Sequence, residues 1–69
     1  MKMHSCRSSL IAEYGYENKT KELDIRFVSG PTWRYSGVPF DTFLEFLRSG
    51  SKGKHFNANI KGKYPEKEL

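Results

Sequence analysis

The 69-residue chain carries a formal net charge of +4, and 14% of its residues are aromatic. At this length folding buries only about 60% of the surface that the unfolded chain exposes, so one small domain is expected, with its aromatic side chains supplying most of the core. The single cysteine, Cys6, excludes an internal disulfide, and no long uncharged apolar run offers a membrane span or the apolar stretch of a signal peptide, so a reducing, cytoplasmic setting with no membrane partner is expected.

Charge is unevenly spread. Through Leu47 the basic residues Lys2, Arg7, Lys19, Lys21, Arg26 and Arg34 are balanced by Glu13, Glu17, Glu22, Asp24, Asp41 and Glu45. From Arg48 onward, Lys52, Lys54, Lys61, Lys63 and Lys67 join Arg48 against only Glu66 and Glu68. The excess lies in the last third, a pattern that points to an anionic partner and says nothing of fold.

Residues 1–7 are polar and without periodicity, which predicts a loose N-terminal arm. From Leu10 to Tyr16, Leu10, Ala12, Tyr14 and Tyr16 alternate with Ile11, Glu13 and Gly15, the period of a strand, and Ile11 breaks the alternation. A bulge near Leu10 and Ile11, or an irregularity at Gly15, reconciles the two faces. Glu17-Asn18-Lys19-Thr20 reads as a polar turn with Asn18 suited to a left-handed backbone. Leu23, Ile25 and Phe27 then alternate with Glu22, Asp24 and Arg26, which predicts an amphipathic strand whose polar face is wet.

Ser29-Gly30-Pro31 punctuates the chain, and Thr32–Ser36 follows as a third short strand with Trp33 and Tyr35 on one face and Arg34 on the other. Short connections imply an antiparallel meander. In that pairing Arg26 and Arg34 come near Glu13 and Asp24, so the outer face has mixed charge, unlike the open aromatic sheets that stack RNA bases. Trp33 and Tyr35 are therefore expected in the core.

Gly37-Val38-Pro39 ends the strand, and Pro39 suits the first turn of a helix. Phe40, Phe43, Leu44 and Leu47 recur at helical spacing and form a stripe able to cover the meander. Asp41 and Glu45 suit the start of that helix and Arg48 its end, where Gly50 is expected as a left-handed cap. Ser51 is a good N-cap for a second helix that places Phe56 and Ile60 on one face and closes at Gly62. Residues 65–69 read as a polar tail. The expected architecture is α+β, a three-stranded antiparallel meander followed by two short helices packed on the sheet (β-β-β-α-α), forming one domain over residues 1–69.

The ordered set Ser8-Ser9, Ile11, Gly15-Tyr16, Trp33-Arg34-Tyr35, Gly37-Val38-Pro39, Ser51-Lys52-Gly53, Phe56-Asn57, Ile60 and Tyr64-Pro65 resembles the KTSC domain, a family named for the C-terminus of some lysyl-tRNA synthetases. The resemblance runs from Ser8 to Pro65. The family is marked by a central Tyr-x-Tyr, and here Trp33 stands in the first of those places while Tyr35 keeps the second. Because the family is attached to a synthetase, the resemblance implies RNA binding; it also implies a domain that occurs as a free-standing small protein.

The residues themselves single out Arg48 to Lys63 as the candidate site. The N-terminus of the second helix offers unpaired backbone N–H groups, so Ser51, Lys52, Gly53 and Lys54 are expected to hold a phosphate, with Gly53 allowing close approach. The segment lacks the first glycine of a P-loop and no strand leads into it, and an ordinary capped helix with solvated lysines is the plainer account of its composition. With Arg48, Lys61 and Lys63, these lysines are expected to form a stripe along a nucleic-acid backbone, and His55 or Tyr64 to stack a base.

Catalysis by Cys6 needs a base such as His4 or His55 and an orienting group, which the sequence does not bring together, so no catalytic residue is assigned. Met1, Met3, His4 and Cys6 are soft donors, but a mobile arm is the plainer reading, and neither metal nor cofactor is expected. Two functions are consistent with these features: a small accessory domain binding RNA, tRNA or another structured RNA; or a module that docks a protein partner or a second copy of itself, using exposed aromatics such as Phe40, Phe46 and Tyr64 or a sheet edge.

Overall fold

The alternation of Leu23, Ile25 and Phe27 with charged residues marks the central strand of an antiparallel sheet in a computed structural model that describes residues 1–69. The elements run β1 (His4–Ser5), β2 (Ile11–Glu17), β3 (Glu22–Phe27), β4 (Thr32–Tyr35), α1 (Phe40–Arg48), α2 (Lys52–Asn59) and β5 (Glu66–Glu68). Strand order in the sheet is β1-β2-β3-β4-β5. The α+β class and the meander of β2, β3 and β4 are as expected. The sheet, however, has five strands rather than three, and the last strand follows the helices.

Both additional strands fall where a loose arm and a tail were expected. His4 and Ser5 pair with Tyr14 and Glu13, and Glu66, Lys67 and Glu68 pair with Tyr35, Arg34 and Trp33. Every residue of β1 and β5 is exposed, so no apolar alternation announces them. Backbone bonding holds them: Ser36 N–H donates to the Pro65 carbonyl at 3.0 Å and Leu69 N–H to the Thr32 carbonyl at 2.9 Å. An unpaired edge of β4 would otherwise leave such groups to water.

The irregularity in β2 is a bulge between Ile11 and Glu13, with Ala12 the extra residue. It turns Ile11 onto the same face as Tyr14 and Tyr16, and Ile11 is fully buried. In the next turn the left-handed residue is Lys21 (φ 60°), not Asn18; Asn18 instead accepts a hydrogen bond from Lys21 Nζ at 2.7 Å.

The core lies between the inner sheet face and the two helices and comprises Ile11, Leu23, Ile25, Tyr35, Val38, Phe46, Phe56 and Ile60. Trp33 packs against it partly buried. Phe56 of α2 meets Tyr35 and Phe27 edge-on, at 5.2 and 5.5 Å between ring centroids. Phe46 of α1 meets Tyr14 at 5.6 Å, and Phe43 stacks on Tyr16 at 4.4 Å with 9° between the rings. The buried stripe of α1 is thus Phe43, Phe46 and Leu47, rotated from the expected one: Phe46 is fully buried, whereas Phe40 is 42% exposed. The edge-on pair of Tyr14 with Phe46 favours this rotation, because aromatic pairs add to burial alone. Tyr64 also packs on the core.

α1 ends without a left-handed glycine. Ser49 takes an extended backbone (φ −66°, ψ 144°), and both its N–H and its hydroxyl donate to the Phe46 carbonyl. Gly62 does adopt positive φ (76°) after α2.

The outer face carries the expected ion pairs, Arg26 with Glu13 at 2.7 Å and Arg34 with Asp24 at 2.8 Å. It is not uniformly wet, since Asp24 is only 5% exposed. Beside Asp24 in register lies Gly15, and a Cβ there would meet Met3 Sδ at 2.7 Å and the Lys2 carbonyl oxygen at 2.9 Å. The N-terminal residues therefore lie across the outer face over a glycine that leaves them room. No helix is long and apolar enough to cross a membrane.

Candidate functional site

The start of α2 is built as its sequence implies. Ser51 adopts an extended backbone and its hydroxyl accepts from Lys54 N–H at 3.4 Å, while its carbonyl accepts from His55 N–H at 3.0 Å. Facing it is the turn that leads into β2. There Ser8 Oγ accepts from the N–H groups of both Leu10 and Ile11, each at 3.1 Å, which fixes the turn locally.

Gly53 joins the two segments. A Cβ at this position would sit 3.3 Å from both Leu10 Cβ and Ser8 Oγ. Its lack of a side chain lets the helix approach the turn, and Gly53 still lines the space between them. Between them lies a cleft of about 310 Å³. One wall is Arg7, Ser8, Ser9 and Leu10; the other is Gly50 through Lys54, with Asn57 a turn further along α2.

The lining holds three cations, Arg7, Lys52 and Lys54, no acidic residue and one hydrophobic residue, Leu10. None of the three cations has a carboxylate within 4.0 Å; the molecule's ion pairs all involve Arg26 or Arg34 on the sheet. The Ser9 hydroxyl and the Asn57 side chain form no hydrogen bond within the protein. The cleft is thus a concave surface of uncompensated positive charge edged by hydrogen-bonding groups and bounded on one side by the first turn of α2.

Of the residues expected at a nucleic-acid site, the structure brings together Ser51, Lys52, Gly53 and Lys54. Arg48, Lys61 and Lys63 are exposed and do not line the cleft. His55 also lies outside it: its ring packs 6.3 Å from Phe46, its Nε2 is enclosed without a partner, and its Nδ1 lies 3.3 Å from Asn59 Nδ2. Arg7, Ser9 and Asn57 were not anticipated as site residues. Ser8-Ser9 and Phe56-Asn57 stand in the motif set, but only tertiary folding brings the Arg7 turn to α2.

Cys6 lies behind this region. Burial pushes its thiol pKa up, the Lys52 charge pulls the other way, and Sγ donates to the Ile11 carbonyl at 3.4 Å. The soft donors of the N-terminal segment are not gathered: Met1 and Met3 lie over Gly15 on the outer face, while Cys6 packs against the core.

A family model for the KTSC domain matches residues 7–64. The chain belongs to the KTSC domain family. A KTSC domain protein from Yersinia pestis has the same fold, with a TM-score of 0.93 and 33% identity over 99% of this chain and 96% of that one. The domain is also 41% identical over 61 residues to a lysine–tRNA ligase of Nostoc punctiforme and 39% identical to that of Trichormus variabilis, in each case across 88% of this chain. It spans only 11% of the length of either ligase. An uncharacterized protein of Stutzerimonas stutzeri is 34% identical over 61 residues, with 88% of this chain matched to 86% of that one.

Proposed function

We propose that this KTSC domain is an RNA-binding accessory module that holds phosphates in the cleft between the Arg7–Leu10 turn and the start of α2. One observation carries the reading: the fold brings Arg7 to the same cleft as Lys52 and Lys54 of α2, with no acidic residue in its lining. Unpaired cations gathered in a concavity repel one another unless an anion occupies it, and phosphate is the anion that such a set suits. Relatives named lysine–tRNA ligase support RNA as the partner and a cytoplasmic location. The domain supplies binding and no catalytic group of its own. Arg48, Lys61 and Lys63 extend the positive field around α2 without lining the cleft.

A titration of the labelled protein with a short hairpin RNA, followed by amide shifts, tests the reading. Shifts concentrated at residues 7–10 and 50–57 are expected, with affinity that falls as salt rises. Each lysine contact removed, by Lys52→Ala or Lys54→Ala, should flatten the log–log salt slope by roughly 0.7–0.9. Absence of binding at low salt would refute it.

The alternative, a docking module for a protein or a second copy, rests on the sheet's two open edges, β1 and β5, and on exposed Val28, Phe40 and Leu69. The Glu-Lys-Glu sequence of β5 weighs against edge pairing, since charged edge residues discourage it. Concentration-dependent shifts along β5 without RNA would favour this alternative.

A further inference from the structure

Resting on the RNA reading above, we infer that the cleft takes the sugar–phosphate backbone of double-helical RNA rather than an unstacked single strand. The inference comes from where the aromatic residues are. Proteins that hold single strands draw much of their affinity from bases stacked on exposed aromatic rings beside a basic groove. No aromatic residue lines this cleft. Tyr14, Trp33 and Tyr35 pack beneath the helices, and Phe40, the most exposed ring, stands at the start of α1 within 6.4 Å of Phe43 and 6.1 Å of Tyr16.

What the cleft presents is suited to a backbone whose bases remain paired. Arg7, Lys52 and Lys54 supply charge for phosphates, and Lys54 and Arg7 are exposed enough to reach outward. Ser9 and Asn57 add neutral donors and acceptors that have no partner in the protein. A-form RNA displays 2′-hydroxyls in its shallow minor groove, where neutral donors and acceptors such as these make contacts that a DNA duplex does not offer. Contacts of this kind position a helix without reading its sequence.

The test measures fluorescence anisotropy with three probes matched in phosphate number: a hairpin RNA, an oligouridylate and a duplex DNA. The hairpin RNA should bind at least about tenfold more tightly than the oligouridylate, which has no ring to stack on. Arg7→Ala and Lys54→Ala, both at exposed positions, should weaken binding while the circular dichroism of the folded protein is unchanged. Ser9→Ala with Asn57→Ala should narrow the gap between RNA and DNA duplexes. Oligouridylate binding as tightly as the hairpin overturns the inference and leaves the RNA reading standing; equal affinity for the DNA duplex overturns the assignment to RNA. Binding that ignores Arg7→Ala and Lys54→Ala moves the site off the cleft, and no binding of any probe at low salt removes both readings.

Discussion

Arg34 grips Asp24 across the outer face of the sheet, with Nε donating to one carboxylate oxygen at 2.8 Å and Nη2 to the other at 2.9 Å. Asp24 is 5% exposed, whereas the Arg34 side chain is 33% exposed, so the carboxylate depends on its partner more than the guanidinium does. Arg34→Ala leaves a buried anion without its bidentate donor. Complete burial would put the loss at several kcal/mol, and water reaching the guanidinium side reduces it to roughly 1–3 kcal/mol. Arg26→Ala removes a pair whose side chains are 41% and 33% exposed, and should cost about 0–1 kcal/mol. Urea unfolding of both variants checks the ranking; equal losses would mean that Asp24 is better hydrated than its burial implies.

Tyr16 ties β2 both to α1 and to the segment that leads into it. Its ring lies flat on Phe43 at 4.4 Å, and its hydroxyl donates to the carbonyl of Val38 at 2.6 Å. Val38 is fully buried, so no water replaces that donor without rearrangement. Tyr16→Phe keeps the stack and removes the hydrogen bond, and should lower stability by about 1–2 kcal/mol. Tyr16→Leu removes both and should lower it further, which thermal melting of the two variants would show.

Most of the meander was legible because its signal is hydrophobic period. Leu23, Ile25 and Phe27 announce β3, and Ile11, as the break in the alternation of β2, announces the bulge. The two edge strands carry no such signal. His4-Ser5 and Glu66-Lys67-Glu68 contribute backbone hydrogen bonds and no buried side chain, and backbone bonding is common to every residue. The rotation of α1 was hidden for a different reason: Phe40, Phe43, Leu44, Phe46 and Leu47 leave several apolar arcs open, and it is Tyr14, which meets Phe46 edge-on and does not reach Phe40, that favours Phe46. At the site, Lys52 and Lys54 could be read from one helix start, but Arg7 and Asn57 join them only once Gly53 has met Ser8.

Gly53 carries that last step, and its replacement gives a test of the site's geometry. An added Cβ would stand 3.3 Å from Leu10 Cβ, an atom fixed by the backbone of the turn, so the helix and the turn must part. Gly53→Ala sets this against the better helix propensity of alanine, worth up to about 1 kcal/mol, and should change stability little. Gly53→Val adds bulk that neither side accommodates and should cost roughly 1–3 kcal/mol. If the cleft is the binding site, Gly53→Ala should weaken RNA binding more than it weakens folding, measured by anisotropy beside urea unfolding on the same samples.

Tyr35 gives the domain an alkaline limit. Burial, and then the nearby charge of Glu66, push its phenol up to about 12. In the unfolded chain the same group titrates near its ordinary value of about 10. Below about pH 10 the phenol is protonated in both states and pH has no effect through it; between about 10 and 12 the unfolded state releases the proton while the folded state retains it. The folded state then binds more protons, so stability falls as pH rises. Burial shifts Tyr16 in the same direction. Melting temperatures of the wild type should drop across this window, and Tyr35→Phe, which keeps the ring against Phe56, should flatten the drop. An equally steep decline in Tyr35→Phe would assign the alkaline limit to other groups, with Tyr16→Phe the next variant to measure.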